Sequence, residues 1–356
     1  MNYQRQLQEL LQLAAREQVS DVHFSFSHPP IFRINRRLVP LEKFKKLTRE
    51  DAQALAFAIL TEEQKQRFLR EKEIEFSYVL EEKIRFRTNI FFQRGAVSVV
   101  MRLIPSRIKT IEELNLPSML HSFSKVQQGF VLIAGPSSHG KSTTLAAMID
   151  EINHSRAVHI ITIEDPIEYF FEDDQAIIDQ REVGSDTVSF SKALKSSFRQ
   201  DPDVIMVGEM RDSETIATAI TAAETGHLVF STLHTNDAAQ AIHRIVDTFS
   251  PSQQSQIRAQ LSASLLGIVS QRLLPRIRGG LIPACEIMVS TSAIANLIRE
   301  NKIHEIPMVI ETSAEKGMVS LNKSMANLVR AKEISLNTAV QYSSNSAELK
   351  RLVGSL

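Results

Sequence analysis

The sequence has little cysteine, no tryptophan and no net charge, and these absences exclude several classes of protein. Its 356 residues include one cysteine, Cys285, which rules out an internal disulfide and a zinc module with two or four cysteine ligands. The formal net charge is +0, so no excess of positive charge indicates a nucleic-acid partner, and none is expected. The sequence shows no signal-peptide core and no apolar run of about 18 residues. We therefore expect a cytoplasmic protein that contacts membranes only through partners.

The most informative motif that is present runs from Gly135 to Ser142. It reads Gly-Pro-Ser-Ser-His-Gly-Lys-Ser and matches the phosphate-loop pattern G-x-x-x-x-G-K-[ST]. It follows the apolar run Gly129–Ala134 and precedes the helix-like run Thr143–Ile149, the strand, loop and helix that phosphate binding requires. Backbone N–H groups of such a loop converge on phosphate oxygens, and the helix adds the positive end of its dipole. By itself the motif predicts that the chain binds ATP or GTP.

The side chains of this loop have separate predicted roles. Lys141 is expected to reach the β- and γ-phosphates of the nucleotide, and Ser142 is expected to bind Mg²⁺. The residues predicted to contact the nucleotide are Gly135, Ser137, Ser138, His139, Gly140, Lys141, Ser142 and Thr143.

Two further apolar runs end in carboxylates. Asp203–Glu209 reads as a strand that we expect to lie beside the loop strand, so that Glu209 positions the attacking water. His159–Pro166 delivers Glu164 and Asp165 to the same edge of the sheet, and Mg²⁺ is usually held by one or two carboxylates and waters. Glu164 is therefore a candidate Mg²⁺ ligand. A helix cap at Glu209 and a turn at Asp165 remain the structural alternatives.

Two histidines bracket another predicted strand, Leu228–Leu233. A histidine at a strand end can donate a hydrogen bond to a γ-phosphate and report its loss, so His227 and His234 are candidate sensors. The residues alone leave open that both are packed histidines.

Arginines recur on the predicted strands that end the first part of the chain, at positions 85, 87, 94 and 102. A guanidinium that enters a neighbouring nucleotide site can stabilise the charge of the transition state. Arg87 and Arg102 are the two candidates for this role. Alternation places Arg85 and Arg87 on one face of the sheet, as a solvated strand face also would.

The pattern of apolar residues predicts two domains. Residues 1–105 read as an α+β domain: an N-terminal helix, two short helices over 48–70, and an antiparallel meander formed by Ile74–Leu80, Ile84–Phe92 and Val97–Leu103. Residues 106–122 are predicted to be a linker.

Residues 123–356 are predicted to form an α/β domain. Four apolar runs alternate with helical stretches, which indicates a parallel sheet covered on both faces. The run Leu261–Leu274 and most of the segment from about residue 290 to the end are expected to be helical, the latter as a C-terminal subregion.

Together these motifs resemble the secretion ATPase superfamily and, within it, the type IV pilus retraction ATPases of twitching motility. Ile163–Tyr169 is similar to the family's Asp box, Gly208–Asp212 to its Walker B motif, and Thr221–His234 to its His box. The resemblance covers nearly the whole chain.

The resemblance implies a PAS-like N-terminal domain, a RecA-like ATPase domain and a homohexameric ring, with Arg87 or Arg102 reaching a nucleotide held between domains. It also implies that Glu164 and Glu209 are catalytic carboxylates and that His227 and His234 contact the γ-phosphate. Domain rotation driven by ATP would be transmitted to a platform protein of the inner membrane at the pilus base, and a paralogous retraction ATPase is a further candidate partner.

The chain departs from the family pattern in three places. Ser138 and His139 replace the inner Gly-Ser of the phosphate loop, Ala295 replaces an arginine of the retraction signature, and Thr235-Asn236 is similar to an accessory paralogue. The alternatives are therefore an accessory retraction ATPase and an extension or type II secretion ATPase. A nucleic-acid translocase is the alternative of another class, and a non-catalytic ring subunit is the last.

Overall fold

The computed structural model describes residues 3–17, 19–34, 37–81, 84–104 and 107–354. The chain divides into two compact units. One contains Met1–Arg107 and Pro166–Phe170, and the other contains Ile108–Asp165 and Phe171–Leu356. The predicted domain boundary at residues 105 and 106 lies outside the described residues.

Within its described residues, the first unit forms an antiparallel sheet in the order β3-β2-β1-β6-β5-β4. Its strands are β1 (Asp21–Ser25), β2 (Ile31–Ile34), β3 (Arg37–Pro40), β4 (Glu73–Leu80), β5 (Ile84–Gln93) and β6 (Ala96–Ile104). Its helices are α1 (Tyr3–Arg16), α2 (Arg49–Phe57) and α3 (Glu62–Glu71). The predicted meander is confirmed as β4-β5-β6.

Local sequence explains the helices of this unit. α1 buries leucines spaced for one helical face, Leu7, Leu10 and Leu11. α2 and α3 each begin with a capping box, in which Thr48 or Thr61 exchanges hydrogen bonds with the residue three positions later. The helices pack on a core that includes Phe24, Phe68 and Phe86.

The second unit is built on a sheet in the order β13-β12-β7-β11-β10-β8-β9, parallel except for β13. Its strands are β7 (Gly129–Ala134), β8 (His159–Glu164), β9 (Ile177–Glu182), β10 (Val204–Val207), β11 (Leu228–Leu233), β12 (Leu265–Pro275) and β13 (Leu281–Val289). The central strands are buried, as expected of a sheet covered on both faces.

Along the chain, the helices of this unit alternate with its strands and then follow one another in the C-terminal region. They are α4 (Met119–Ser124), α5 (Lys141–Ser155), α6 (Phe190–Ser197), α7 (Ser213–Glu224), α8 (Ala238–Asp247), α9 (Pro251–Ser264), α10 (Ser292–Arg299), α11 (Ile306–Thr312), α12 (Leu321–Arg330), α13 (Leu336–Tyr342) and α14 (Ser346–Gly354). The predicted α/β architecture with a helical C-terminal region is confirmed. Within the described ranges, no helix combines the length and apolar character needed to cross a membrane.

Two sequence predictions about this sheet are wrong. Leu261–Leu274 is not one helix, because α9 ends at Ser264 and the next residues form β12 between β7 and β13. A short apolar run fits a buried strand as well as a buried helix, and here long-range pairing decides. The strand that leads to Glu209, β10, does not lie beside β7, because β11 separates them.

Candidate nucleotide site

The phosphate loop joins β7 to α5 at the carboxyl edge of the parallel sheet. Gly135 and Gly140 have φ angles of +149° and +84°, which side chains rarely adopt. A Cβ at Gly135 would lie 2.5 Å from the carbonyl oxygen of Gln271 on β12. The two glycines of the motif are therefore required by the backbone of the loop itself.

Ser138 also lies in the left-handed region, with φ +63°. The loop thus keeps a glycine-like conformation at a position where this chain has serine. The conformation costs about 1–2 kcal/mol relative to the ordinary regions.

The Lys141 side chain is buried inside the loop. Its Nζ donates to the carbonyl oxygens of Gly135 (2.9 Å) and Pro136 (3.0 Å) and lies 3.3 Å from Nδ1 of His234. The ammonium group is therefore held where the loop N–H groups would gather phosphate oxygens.

His234 lies between Lys141 and Glu209. A lysine ammonium can only donate, so Nδ1 of His234 accepts and the ring proton is on Nε2, 3.6 Å from Oε2 of Glu209. Burial and the nearby Lys141 ammonium lower the pKa of His234, which favours this neutral form. Ser137 Oγ lies 3.3 Å from the same Nδ1.

Glu209 is positioned by the backbone that follows β10. The N–H of Gly208 donates to the carbonyl oxygen of Ile163 (2.8 Å), and Thr232 Oγ1 donates to the carbonyl oxygen of Gly208 (2.6 Å). Arg211 pairs with the other carboxylate oxygen of Glu209. Although β11 separates β10 from β7, the end of β11 carries His234, and so Lys141, His234 and Glu209 form a continuous line of contacts.

Glu164 ends β8, at the same edge of the sheet, and its side chain is buried. Its Oε1 accepts from Thr162 Oγ1 (2.8 Å) and from Gln180 Nε2 (3.3 Å). Among the described residues, no three acidic, histidine or cysteine side chains form a metal cluster. A Mg²⁺ ion bound to phosphates needs only one or two protein oxygens and keeps waters. The hydroxyl of Ser142 and the carboxylate of Glu164 supply oxygen donors of this kind, and their predicted role toward Mg²⁺ stays a prediction.

The structure corrects the prediction for His227. This residue precedes β11 and lies beside the amino end of β7, since its carbonyl oxygen accepts from the N–H of Gly129. The length of β11 puts it about 20 Å from His234. Its Nδ1 contacts the carbonyl oxygen of Ala222 at 3.0 Å, and its ring packs edge-on against Phe198. Contact with a phosphate held by the loop of the same chain is therefore excluded.

Arg87 and Arg102 lie in the first unit, directly opposite each other on β5 and β6. Arg102 Nε lies 3.0 Å from Oδ1 of the buried Asp21. Arg87 pairs with Glu75 and, at 3.4 Å, with Oε1 of Glu168. Both guanidinium groups thus have carboxylate partners within their own unit, and their predicted role toward a nucleotide stays a prediction.

Sequence reasoning missed a set of contacts between the phosphate loop and β12. Gln271 Oε1 accepts from Thr144 Oγ1 (2.8 Å), and its Nε2 donates to the carbonyl oxygen of His139 (2.8 Å). The N–H of Leu273 donates to Nδ1 of His139 (2.8 Å). The imidazole of His139, which was predicted to bind nucleotide, is therefore bonded to the neighbouring strand. These contacts could have been predicted only if the sequence had been interpreted as a strand at β12, next to the phosphate loop.

Known proteins are similar to this chain over nearly its whole length. The family model for type II/IV secretion system proteins matches residues 2–350. The type IV pilus retraction ATPase PilT of Pseudomonas aeruginosa is 44% identical over 93% of this chain and 96% of its own length. The type IV pilus ATPase PilU of the same organism is 37% identical over 98% of this chain and 91% of its own length. A crystal structure of the pilus retraction motor PilT with bound ADP is 44% identical, with a TM-score of 0.90, and covers 97% of this chain and 98% of that one.

Proposed function

The chain belongs to the family of type II/IV secretion system proteins, and from this premise we propose that it is an ATPase that powers the retraction of type IV pili. The observation that carries the proposal is the line of contacts from Lys141 through His234 to Glu209. It brings the Lys141 ammonium group and the Glu209 carboxylate together at the end of the phosphate loop, which supports ATP hydrolysis, whereas retraction is supported by the match to the retraction ATPase.

Each group of the site has a definite task in ATP hydrolysis. Lys141 binds the β- and γ-phosphates, and Glu209 orients a water molecule toward the γ-phosphorus and takes up its proton. Neutral His234 has a single N–H, on Nε2, which faces Glu209 in the ligand-free chain and would turn to the γ-phosphate when nucleotide binds, returning to Glu209 when phosphate leaves. Mg²⁺, held by Ser142 and Glu164, would neutralise phosphate charge.

Similarity favours principal retraction, since the match to the retraction ATPase is stronger than the match to PilU. The accessory retraction ATPase is the second candidate. Two features favour it: Ala295, half-buried on α10, and Asn236, whose Oδ1 accepts from Arg272 Nη2 at 3.2 Å.

The family relation also supports the rest of the proposal. We propose a cytoplasmic homohexamer in which Arg87 or Arg102 reaches a neighbouring nucleotide. The two predicted domains move relative to each other during the ATPase cycle. This movement is transmitted to an inner-membrane platform protein at the pilus base.

Deletion of the gene, followed by imaging of pili and a twitching assay, tests the direction of force. Deletion cells that carry excess pili and do not twitch support retraction. Reintroducing the intact gene should then return pilus number and twitching to normal. Bald cells would instead assign the chain to extension, and unchanged pili and motility would overturn a role in pilus dynamics. An accessory ATPase is indicated if the pili still retract but twitching is weak.

A further inference from the structure

Strand β12 extends beyond the strand on which it packs. Its pairing with β7 ends at Ser270 and Ala134, where β7 gives way to the phosphate loop. β12 itself continues to Pro275, paired on its other side with β13. The edge of β12 from Gln271 onward therefore faces the loop instead of a strand, and its polar groups need partners there.

The loop supplies these partners through one residue. The carbonyl oxygen of His139 accepts from Gln271 Nε2, and the imidazole Nδ1 of His139 accepts from the N–H of Leu273. The amide of Gln271 is itself fixed, because its oxygen accepts from Thr144 on α5. A Cβ at Gly140 would lie only 2.9 Å from Gln271 Nε2, so the loop and β12 are packed closely as well as bonded.

We propose that His139 is a positioning residue that latches the phosphate loop to β12 and holds the loop in its phosphate-binding shape before nucleotide arrives. The loop latch consists of His139, Gln271 and Leu273. It deepens the proposed function and rests on it for the identity of the ligand. The proposal assigns the imidazole to the neighbouring strand and not to the phosphates.

The bond from Leu273 sets the protonation state of the latch. A backbone N–H can only donate, so Nδ1 carries no proton when the latch is closed. Burial lowers the pKa of His139, and the cations Arg272 on β12 and Lys141 on α5 lower it further. An imidazolium has a proton on both ring nitrogens and cannot accept from Leu273, so protonation opens the latch.

Three substitutions separate the latch from other roles of the side chain. His139→Asn keeps an oxygen acceptor near the position of Nδ1 but cannot be protonated, whereas His139→Gln moves the amide outward and His139→Ala removes it. With a fluorescent ADP analogue at pH about 7.5, we expect His139→Gln and His139→Ala to raise Kd by about threefold to tenfold. His139→Asn should stay within about twofold of the parent chain. Equal Kd values for all four proteins would overturn the proposal.

Acidification distinguishes two roles of the His139 imidazole, a latch to β12 and a contact with phosphate. The two roles predict opposite changes in Kd for nucleotide. As pH falls from about 7.5 to about 5.5, the ratio of the parent Kd to the His139→Asn Kd should rise, because only the parent latch opens. A falling ratio means that the imidazolium attracts the phosphates, and it would overturn the latch. Protonation of the nucleotide and of the other histidines changes both Kd values alike, so its effect cancels in the ratio.

Hydrogen exchange of the ligand-free protein tests the latch independently of the proposed function. Amide exchange in peptides that cover Gln271 to Leu274 should be faster in His139→Gln and His139→Ala than in His139→Asn and the parent chain. The same exchange rate in all four proteins would overturn the latch even if nucleotide binds. A failure of all four to bind nucleotide would overturn the proposed function and leave this measurement decisive for the latch.

Discussion

His227 and His234 bracket the same buried strand, yet the two ends of that strand are chemically different. His234 follows β11 and contacts Lys141 and Glu209, whereas His227 precedes β11 and packs against Phe198. In a parallel sheet all carboxyl ends meet at one edge, where loops that follow different strands bring their side chains together. The amino ends meet at the opposite edge, away from the phosphate loop that follows β7. A residue that is close in sequence to a site motif therefore need not lie in the site. What decides is whether the residue precedes or follows its strand.

The largest expected effect concerns the carboxyl edge. Glu209→Gln keeps the shape of the side chain but removes the group that accepts the proton of water. We expect kcat for ATP hydrolysis to fall by about 10²–10⁴-fold, with Kd for nucleotide within about threefold of the parent value. Single-turnover kinetics and equilibrium binding measure the two quantities. Near-normal hydrolysis would show that another group performs this task.

The comparison of the two histidines can be tested directly with a matched pair of variants. His234→Ala removes a hydrogen-bond donor to a charged group, and we expect kcat to fall by about 10-fold to 100-fold. His227→Ala should leave kcat within about twofold and lower the free energy of unfolding by about 1 kcal/mol, since it removes the edge-on contact with Phe198. Steady-state kinetics and urea unfolding distinguish the two effects. A large loss of kcat in His227→Ala would contradict the division of the sheet into a catalytic and a structural edge.

Much of the carboxyl edge could be predicted from the sequence, because its main parts are short motifs next to strands. The phosphate loop is contiguous, and an apolar run that ends in a carboxylate, such as Glu209, indicates a strand end wherever that strand lies. The neighbour of β7 could not be predicted in this way. The sheet order depends on pairing between distant segments, and the apolar run of β12 fits a helix as well as a strand.

The role of His139 was hidden for the same reason. Its partners, Gln271 and Leu273, lie more than a hundred residues away and become visible only once β12 is placed beside the loop. Because His139 lies within the phosphate-loop motif, the sequence predicts that it contacts nucleotide. Pro166–Phe170 shows a similar limit, since it belongs to the first unit although the chain around it belongs to the second.

The smallest expected effect lies within the loop itself, at two adjacent serines. Ser138 has a φ of +63°, so Ser138→Gly relieves strain that exceeds the entropy glycine loses on folding, and the ligand-free protein should gain about 0.5–1 kcal/mol of stability. Ser137 is not among the described residues with positive φ, so Ser137→Gly should lose about 0.5–1 kcal/mol, because there glycine adds only entropy to the unfolded chain. Urea unfolding of the two variants measures the difference. The same sign for both would mean that the backbone at Ser138 is not strained, and that the carboxyl edge accepts serine there without cost.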